Sequence, residues 1–62
     1  MNKPTCQLTG KDGNVFSIIG SVSRTLIRAG HSDQAAEFRQ KAMSSASYDA
    51  VLALCFDYVE VE

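Results

Sequence analysis

The 62-residue sequence lacks most of the residues from which catalytic and metal sites are built. It has a single histidine, His31, and two cysteines, Cys6 and Cys55, far apart in the chain. A structural zinc site needs about four ligands at close spacing, and acyl transfer needs a nucleophile, a base and an orienting acid. Ser32 and Asp33 are only sequence neighbours of His31, which is not the geometry of a triad. We therefore expect no enzyme, no metal site and no cofactor.

Long apolar runs and export features are absent as well. No run approaches the roughly 20 apolar residues of a membrane-spanning helix, and the first residues show no basic-then-apolar leader. We therefore expect a cytoplasmic protein. In that compartment Cys6 and Cys55 are expected to be small apolar core residues, with a Cys6–Cys55 bridge or a redox role as the alternatives.

Lysine and arginine are missing from the last part of the chain. Residues 46–62 carry four Asp or Glu, whereas residues 1–30 carry four Lys or Arg and one Asp. The formal net charge of −1 differs from the basic balance of typical nucleic-acid-binding domains. This distribution predicts a basic first helix and an acidic C-terminal region.

The apolar pattern predicts one α+β domain over residues 1–62. Thr5–Thr9 alternates like a short, half-buried strand, and residues 58–62 alternate again. Between them, apolar residues recur at three- and four-residue steps in three helical stretches. We expect the end strands to pair while the helices cover one face of the ribbon, because an isolated ribbon is marginal. A plain three-helix domain is the alternative.

Turn-forming and capping residues mark the ends of these elements. The run Gly10-Lys11-Asp12-Gly13-Asn14 predicts a strand-to-helix corner, in which Asn14 or Asp12 caps the first helix. A residue in the left-handed backbone conformation is expected to end that helix, and serines are expected to be the N-caps of the second and third helices. The predicted turn and cap residues are Gly10, Asp12, Gly13, Asn14, Gly30, Ser32 and Ser47.

The first helix is predicted over Val15–Ala29. Gly20 in its interior costs roughly 1 kcal/mol relative to alanine, so we expect it to admit the close approach of another backbone. Ser21, Arg24 and Arg28 recur on the side opposite the apolar stripe and are expected to be exposed.

One residue pattern runs through nearly the whole chain. It reads Leu8-x-Gly10-x-Asp12-Gly13-Asn14-x-Phe16-x-Ile18-x-Gly20, then Ser23, Leu26, Ala29-Gly30, Phe38, Ala42, Ser45, Tyr48, Leu52 and Tyr58-Val59-x-Val61. This pattern resembles that of a family of small uncharacterised proteins from bacterial genomes and from phage and mobile-element genes. The resemblance implies a self-contained domain of about this length and carries over no activity.

The candidate interaction surface is a modest basic patch of Lys11, Arg24 and Arg28 on the first helix. The patch lacks an adjacent aromatic residue, so a nucleic-acid-associated regulator is the alternative function rather than the main one. We predict a small protein-interaction or accessory regulatory module with an unidentified protein partner. Open strand edges also allow a homodimer. Apolar contacts are expected from residues beside the main stripes: Ile27, Met43 and Phe56.

Overall fold

The computed structural model describes residues 3–8 and 14–61 of the chain. The elements are β1 (Thr5–Cys6), α1 (Val15–Arg28), α2 (Ser32–Met43), α3 (Tyr48–Tyr58) and β2 (Glu60–Val61). The predicted α+β architecture is confirmed, because three helices lie between two short strands that pair with each other. Within these ranges the longest helix has 14 residues, and none is long and apolar enough to cross a membrane.

The two strands pair in parallel, with Thr5 opposite Glu60 and Cys6 opposite Val61. The Glu60 backbone N–H donates to the Pro4 carbonyl at 2.9 Å. Parallel strands need a long crossover connection, and here the three helices lie within it. With only two residues in each strand, the ribbon depends on packing against the helices.

Both strands are shorter than predicted. The predicted second strand began at Tyr58, but that residue is the last of α3. The Val59 N–H still donates to the Cys55 carbonyl at 2.9 Å, although Val59 itself is already extended. The last helical hydrogen bond therefore involves residues of the alternating segment, and the strand begins later than the alternation does. Thr9, predicted in the first strand, lies outside the described residues.

The core is formed by one face of each helix together with residues from the two chain ends. Its largest fully buried side chains are those of Phe38, Leu26, Val22, Val59 and Cys55. Both cysteines are free and buried, which confirms their expected place in the core. The buried apolar residues in the described part of the chain are Cys6, Ile18, Ile19, Val22, Leu26, Ala35, Phe38, Ala42, Val51, Cys55, Tyr58 and Val59.

Helix α1 is buried over more of its circumference than predicted. Ser21, expected on the exposed side, is buried together with Thr25. The prediction is wrong because β1 packs against this side of α1. Thr25 Oγ1 donates to the Ser21 carbonyl at 2.9 Å, which satisfies the buried threonine hydroxyl within the helix.

Two of the predicted N-caps are confirmed. Asn14 Oδ1 accepts a hydrogen bond from the Phe16 N–H at 2.8 Å at the start of α1. At the start of α3, Ser47 Oγ accepts from the Ala50 N–H at 3.1 Å. Each side chain satisfies one of the backbone donors that a helix N-terminus leaves unpaired.

Gly30 ends α1 as predicted, with φ of 83° directly after the C-cap. Its N–H donates to the Ile27 carbonyl at 3.0 Å, and the His31 N–H donates to the Leu26 carbonyl at 2.8 Å. This pair of bonds is a Schellman motif. The predicted N-cap at Ser32 is wrong by one residue, because the His31 carbonyl already accepts the first bond of α2.

Gly20 does not admit another backbone among the described residues. The only described atom within 4 Å of a Cβ built there is Nη1 of Arg24, at 3.6 Å. That distance is an ordinary contact with the end of a flexible side chain. The expected close approach is therefore wrong for the described part of the chain.

The two described glycines should respond oppositely to alanine. Gly20→Ala is expected to raise the free energy of unfolding by about 0.5–1 kcal/mol, because alanine favours the helix interior. Gly30→Ala is expected to lower it by about 1–2 kcal/mol, since alanine is strained at positive φ. Urea denaturation followed by circular dichroism measures both. A destabilised Gly20→Ala variant would contradict the first expectation, and an unchanged Gly30→Ala variant the second.

Ser23 offers a separate test of the core. Its Oγ is buried and has no hydrogen-bond partner among residues 3–8 and 14–61, so we expect it to carry an uncompensated desolvation cost in the folded state. Ser23→Ala is expected to raise the free energy of unfolding by about 1–2 kcal/mol, within the range measured for unsatisfied buried groups. Urea denaturation of the variant beside wild type measures the change. A loss of stability would mean that the hydroxyl has a partner in solution.

Candidate functional site

The structure describes only part of the predicted interaction surface. Arg24 and Arg28 are exposed on α1, as predicted. Lys11 and the predicted turn residues at positions 10, 12 and 13 lie outside the described residues. Within residues 3–8 and 14–61, two concave surfaces and one polar cluster are further candidates for function.

An apolar groove of about 440 Å³ lies between α1, the end of α2 and the start of α3. Three large side chains at this groove are exposed: Phe16 and Met43 by 66% each, and Tyr48 by 41%. The buried side chains of Ile19 and Val51 also line it. We refer to this surface below as the apolar groove.

No charged side chain of the described residues lines the apolar groove. Its serine hydroxyls are already engaged, since Ser45 Oγ donates to the Lys41 carbonyl at 3.0 Å and Ser47 Oγ caps α3. The connection between α2 and α3 consists of small residues, Ser44-Ser45-Ala46-Ser47. Small side chains at this junction leave the volume between the helix ends unfilled.

A smaller polar pocket of about 220 Å³ lies between β1 and α1. Arg24 and Arg28 line it one helical turn apart, together with Ser21 and Gln7. Neither arginine forms an ion pair with any described residue. We refer to this second surface as the arginine pocket.

A cluster of polar and aromatic side chains joins α2 to α3. The Tyr58 hydroxyl donates to Glu37 Oε1 at 2.5 Å, and the Tyr58 ring meets Phe38 edge-on at 5.5 Å between centroids. Lys41 Nζ lies 6.0 Å from the Tyr58 ring centroid. Burial, followed by the hydrogen bond to Glu37, raises the pKa of Tyr58, and the nearby Tyr58 hydroxyl raises the pKa of Lys41. Both groups keep their protons at neutral pH. The Tyr58–Glu37 hydrogen bond and the ring contact of Tyr58 with Phe38 connect α3 to α2.

The surroundings of Cys55 make its thiol less reactive than that of an exposed cysteine. Burial, reinforced by Cys6, raises its pKa to about 11. The thiolate is the reactive form of cysteine, so Cys55 is protonated and inert at neutral pH. Across residues 3–8 and 14–61, no three His, Cys, Asp or Glu side chains come together as a metal-binding group.

Comparison of the chain with protein-family models, with curated proteins and with solved structures finds no match. The resemblance to a family of small bacterial and phage proteins therefore stays a prediction. The function has to be inferred from the surfaces of the chain itself.

The sequence indicated the arginine pair but not the apolar groove. Met43, Ile27 and Phe56 are exposed, as expected for residues beside the apolar stripes. Tyr48 is partly exposed because it occupies the first position of α3. One feature of the sequence does point to Phe16. It is a large aromatic residue on the same helix face as Gly20, away from the main apolar stripe of the first helix.

The raised pKa of Cys55 predicts a loss of stability at alkaline pH. The folded state holds this proton more tightly than the unfolded chain. The protonated thiol therefore makes its full contribution to the free energy of unfolding below about pH 9, and this contribution is lost as pH rises through about 11. A shift of this size corresponds to about 2–3 kcal/mol. Urea denaturation of wild type and Cys55→Ala across this range measures it. Tyr58 titrates in both proteins, so the difference between the two curves isolates Cys55, and parallel curves would contradict the expectation.

Proposed function

We propose that this chain is a small, non-enzymatic protein-interaction module that binds an apolar segment of another protein in the apolar groove. The proposal is supported by one observation above all. Phe16, Met43 and Tyr48 stand exposed around one concavity that no charged side chain of the described residues lines. Scattered apolar side chains are normal on a protein surface, whereas a contiguous apolar patch marks an interaction site.

The composition of the apolar groove suits protein recognition. Aromatic residues and methionine are enriched in protein interfaces, and the flexible methionine side chain adapts to differently shaped partners. Full burial of a large apolar side chain contributes about 1.5–3 kcal/mol. Covering Phe16, Met43 and Tyr48 together would therefore supply enough free energy for a specific contact.

The expected occupant is a peptide segment that presents one or two large apolar side chains beside a basic residue. The volume of about 440 Å³ falls in the range of known binding pockets, about 300–1,000 Å³. Asp49 follows Tyr48 directly and is exposed, and the C-terminal part of the chain is acidic. A basic residue on the partner would complement this charge and speed up association.

The strand edges offer a second route, in which two copies of the chain pair as a homodimer. Each strand has only two residues, so each edge presents few unpaired backbone groups. Short edge strands are a common way to avoid such pairing. We therefore favour the apolar groove as the binding surface.

Two further properties fit a non-enzymatic role in the cytoplasm. Cys55 is held as an unreactive thiol, and both cysteines are free, which suits a reducing compartment.

Nucleic-acid-associated regulation through Arg24 and Arg28 is the second candidate function. Two arginines in a chain of net charge −1 support it less strongly than the groove supports protein binding.

Selection from a random peptide library with the immobilised full-length chain tests the proposal. We expect enriched peptides with large apolar residues next to Lys or Arg. The double variant Phe16→Ser/Met43→Ser should weaken their binding about tenfold or more, because it removes two apolar contacts. The matched control Ile27→Ser/Phe56→Ser changes two exposed apolar residues outside the groove and should bind like wild type.

Binding is measured by fluorescence polarisation, with circular dichroism showing that both double variants are folded. Equal affinity of the two double variants, or no enrichment of apolar peptides, would overturn the proposal. Sedimentation analysis adds a further outcome. A wild-type dimer that the groove variant abolishes would mean that the groove binds a second copy of the chain instead.

A further inference from the structure

The arginine pocket has the donors of an anion site, and none of its described lining residues also lines the apolar groove. Arg24 and Arg28 are four residues apart on α1, so their side chains are neighbours on the helix surface. Each guanidinium offers five N–H donors in a planar fork that matches phosphate oxygens. Neither arginine has an ion pair with a described residue, so no described group occupies these donors.

Two further polar groups line the same pocket. Neither the Ser21 hydroxyl nor the Gln7 side-chain amide makes a hydrogen bond with a described residue. Thr25 differs, since its hydroxyl already donates to the Ser21 carbonyl. No acidic side chain of the described residues lines the pocket, so none of them competes with an incoming anion for the arginines.

The charge of the pocket favours one class of ligand. A volume of about 220 Å³ equals that of about seven water molecules at about 30 Å³ each. This volume holds a phosphate group and the first atoms attached to it, and the open side of the pocket lets the rest of a ligand extend into solvent. A phosphate monoester carries about −1.5 to −2 at neutral pH, which matches two guanidinium groups. A carboxylate or a phosphodiester carries only one negative charge.

We propose that the arginine pocket binds a phosphate monoester, held by Arg24 and Arg28 with the Ser21 hydroxyl and the Gln7 amide as additional donors. The ligand is either a phosphorylated side chain of a protein or a small phosphorylated molecule. Both sources present the same terminal group to the pocket.

Nuclear magnetic resonance of the full-length chain, labelled with nitrogen-15, tests the proposal. The chain is titrated with inorganic phosphate, with a phosphoserine peptide and with acetate, at constant ionic strength. We expect saturable shifts of the Ser21 and Thr25 amides and of the arginine Nε–H groups with both phosphate probes. Saturation by the peptide alone, or at lower concentration than inorganic phosphate, identifies a phosphorylated protein as the source. Equal saturation identifies a small molecule.

Arginine variants complete the test. Arg24→Gln and Arg28→Gln should each weaken phosphate binding about tenfold or more, because each removes a charge-assisted pair of hydrogen bonds. Arg39→Gln removes an exposed arginine of α2 outside the pocket and should bind like wild type. Circular dichroism establishes that all three variants fold.

Three results would overturn the proposal. The first is an equal response to acetate and phosphate, and the second is an equal loss of binding in Arg39→Gln and Arg24→Gln. The third is binding of a short oligonucleotide, which carries only phosphodiesters, without binding of the phosphate monoesters. That result would assign the arginines to a nucleic-acid surface instead.

Discussion

The parallel pairing of the two chain ends is the constraint on which the rest of the structure depends. The Glu60 N–H bonds to the Pro4 carbonyl, and Lys3 Nζ donates to the Phe56 carbonyl at 2.7 Å, near the C-terminal end of α3. A cation at this position also interacts favourably with the helix dipole. Because the paired strands have two residues each, they persist only while Cys6 and Val59 are buried in the helical core. The position of β1 against α1 then creates the arginine pocket.

A domain of this size buries only about 60% of the surface of its unfolded chain, so some large apolar side chains must stay exposed. Their distribution matters more than their number. Ile27 and Phe56 are exposed away from the apolar groove, whereas Phe16, Met43 and Tyr48 surround it. Incomplete burial explains single exposed side chains. It does not explain three of them around an unfilled volume, and this clustering supports a binding role.

The sequence predicts the local features of this fold better than its tertiary ones. Asn14, Gly30 and Ser47 act where they were expected, because capping depends on a few adjacent backbone groups. Ser21 was assigned to the wrong side of its helix, since helical periodicity cannot show that β1 covers a polar face. The apolar groove likewise requires three helix ends to meet around small residues, and no pattern within one element predicts such a meeting. The resemblance to a family without assigned activity left the function open.

The residues of the two candidate sites differ from those that hold the fold together. Phe16 and Met43 are largely exposed and so contribute little to the core, while Arg24 and Arg28 have no described ion-pair partner whose loss would cost stability. Because most free energy of folding comes from buried apolar area, these four positions can change without large effects on stability. Binding and folding are therefore separable in this chain, and a loss of binding in a folded variant reports on the surface itself.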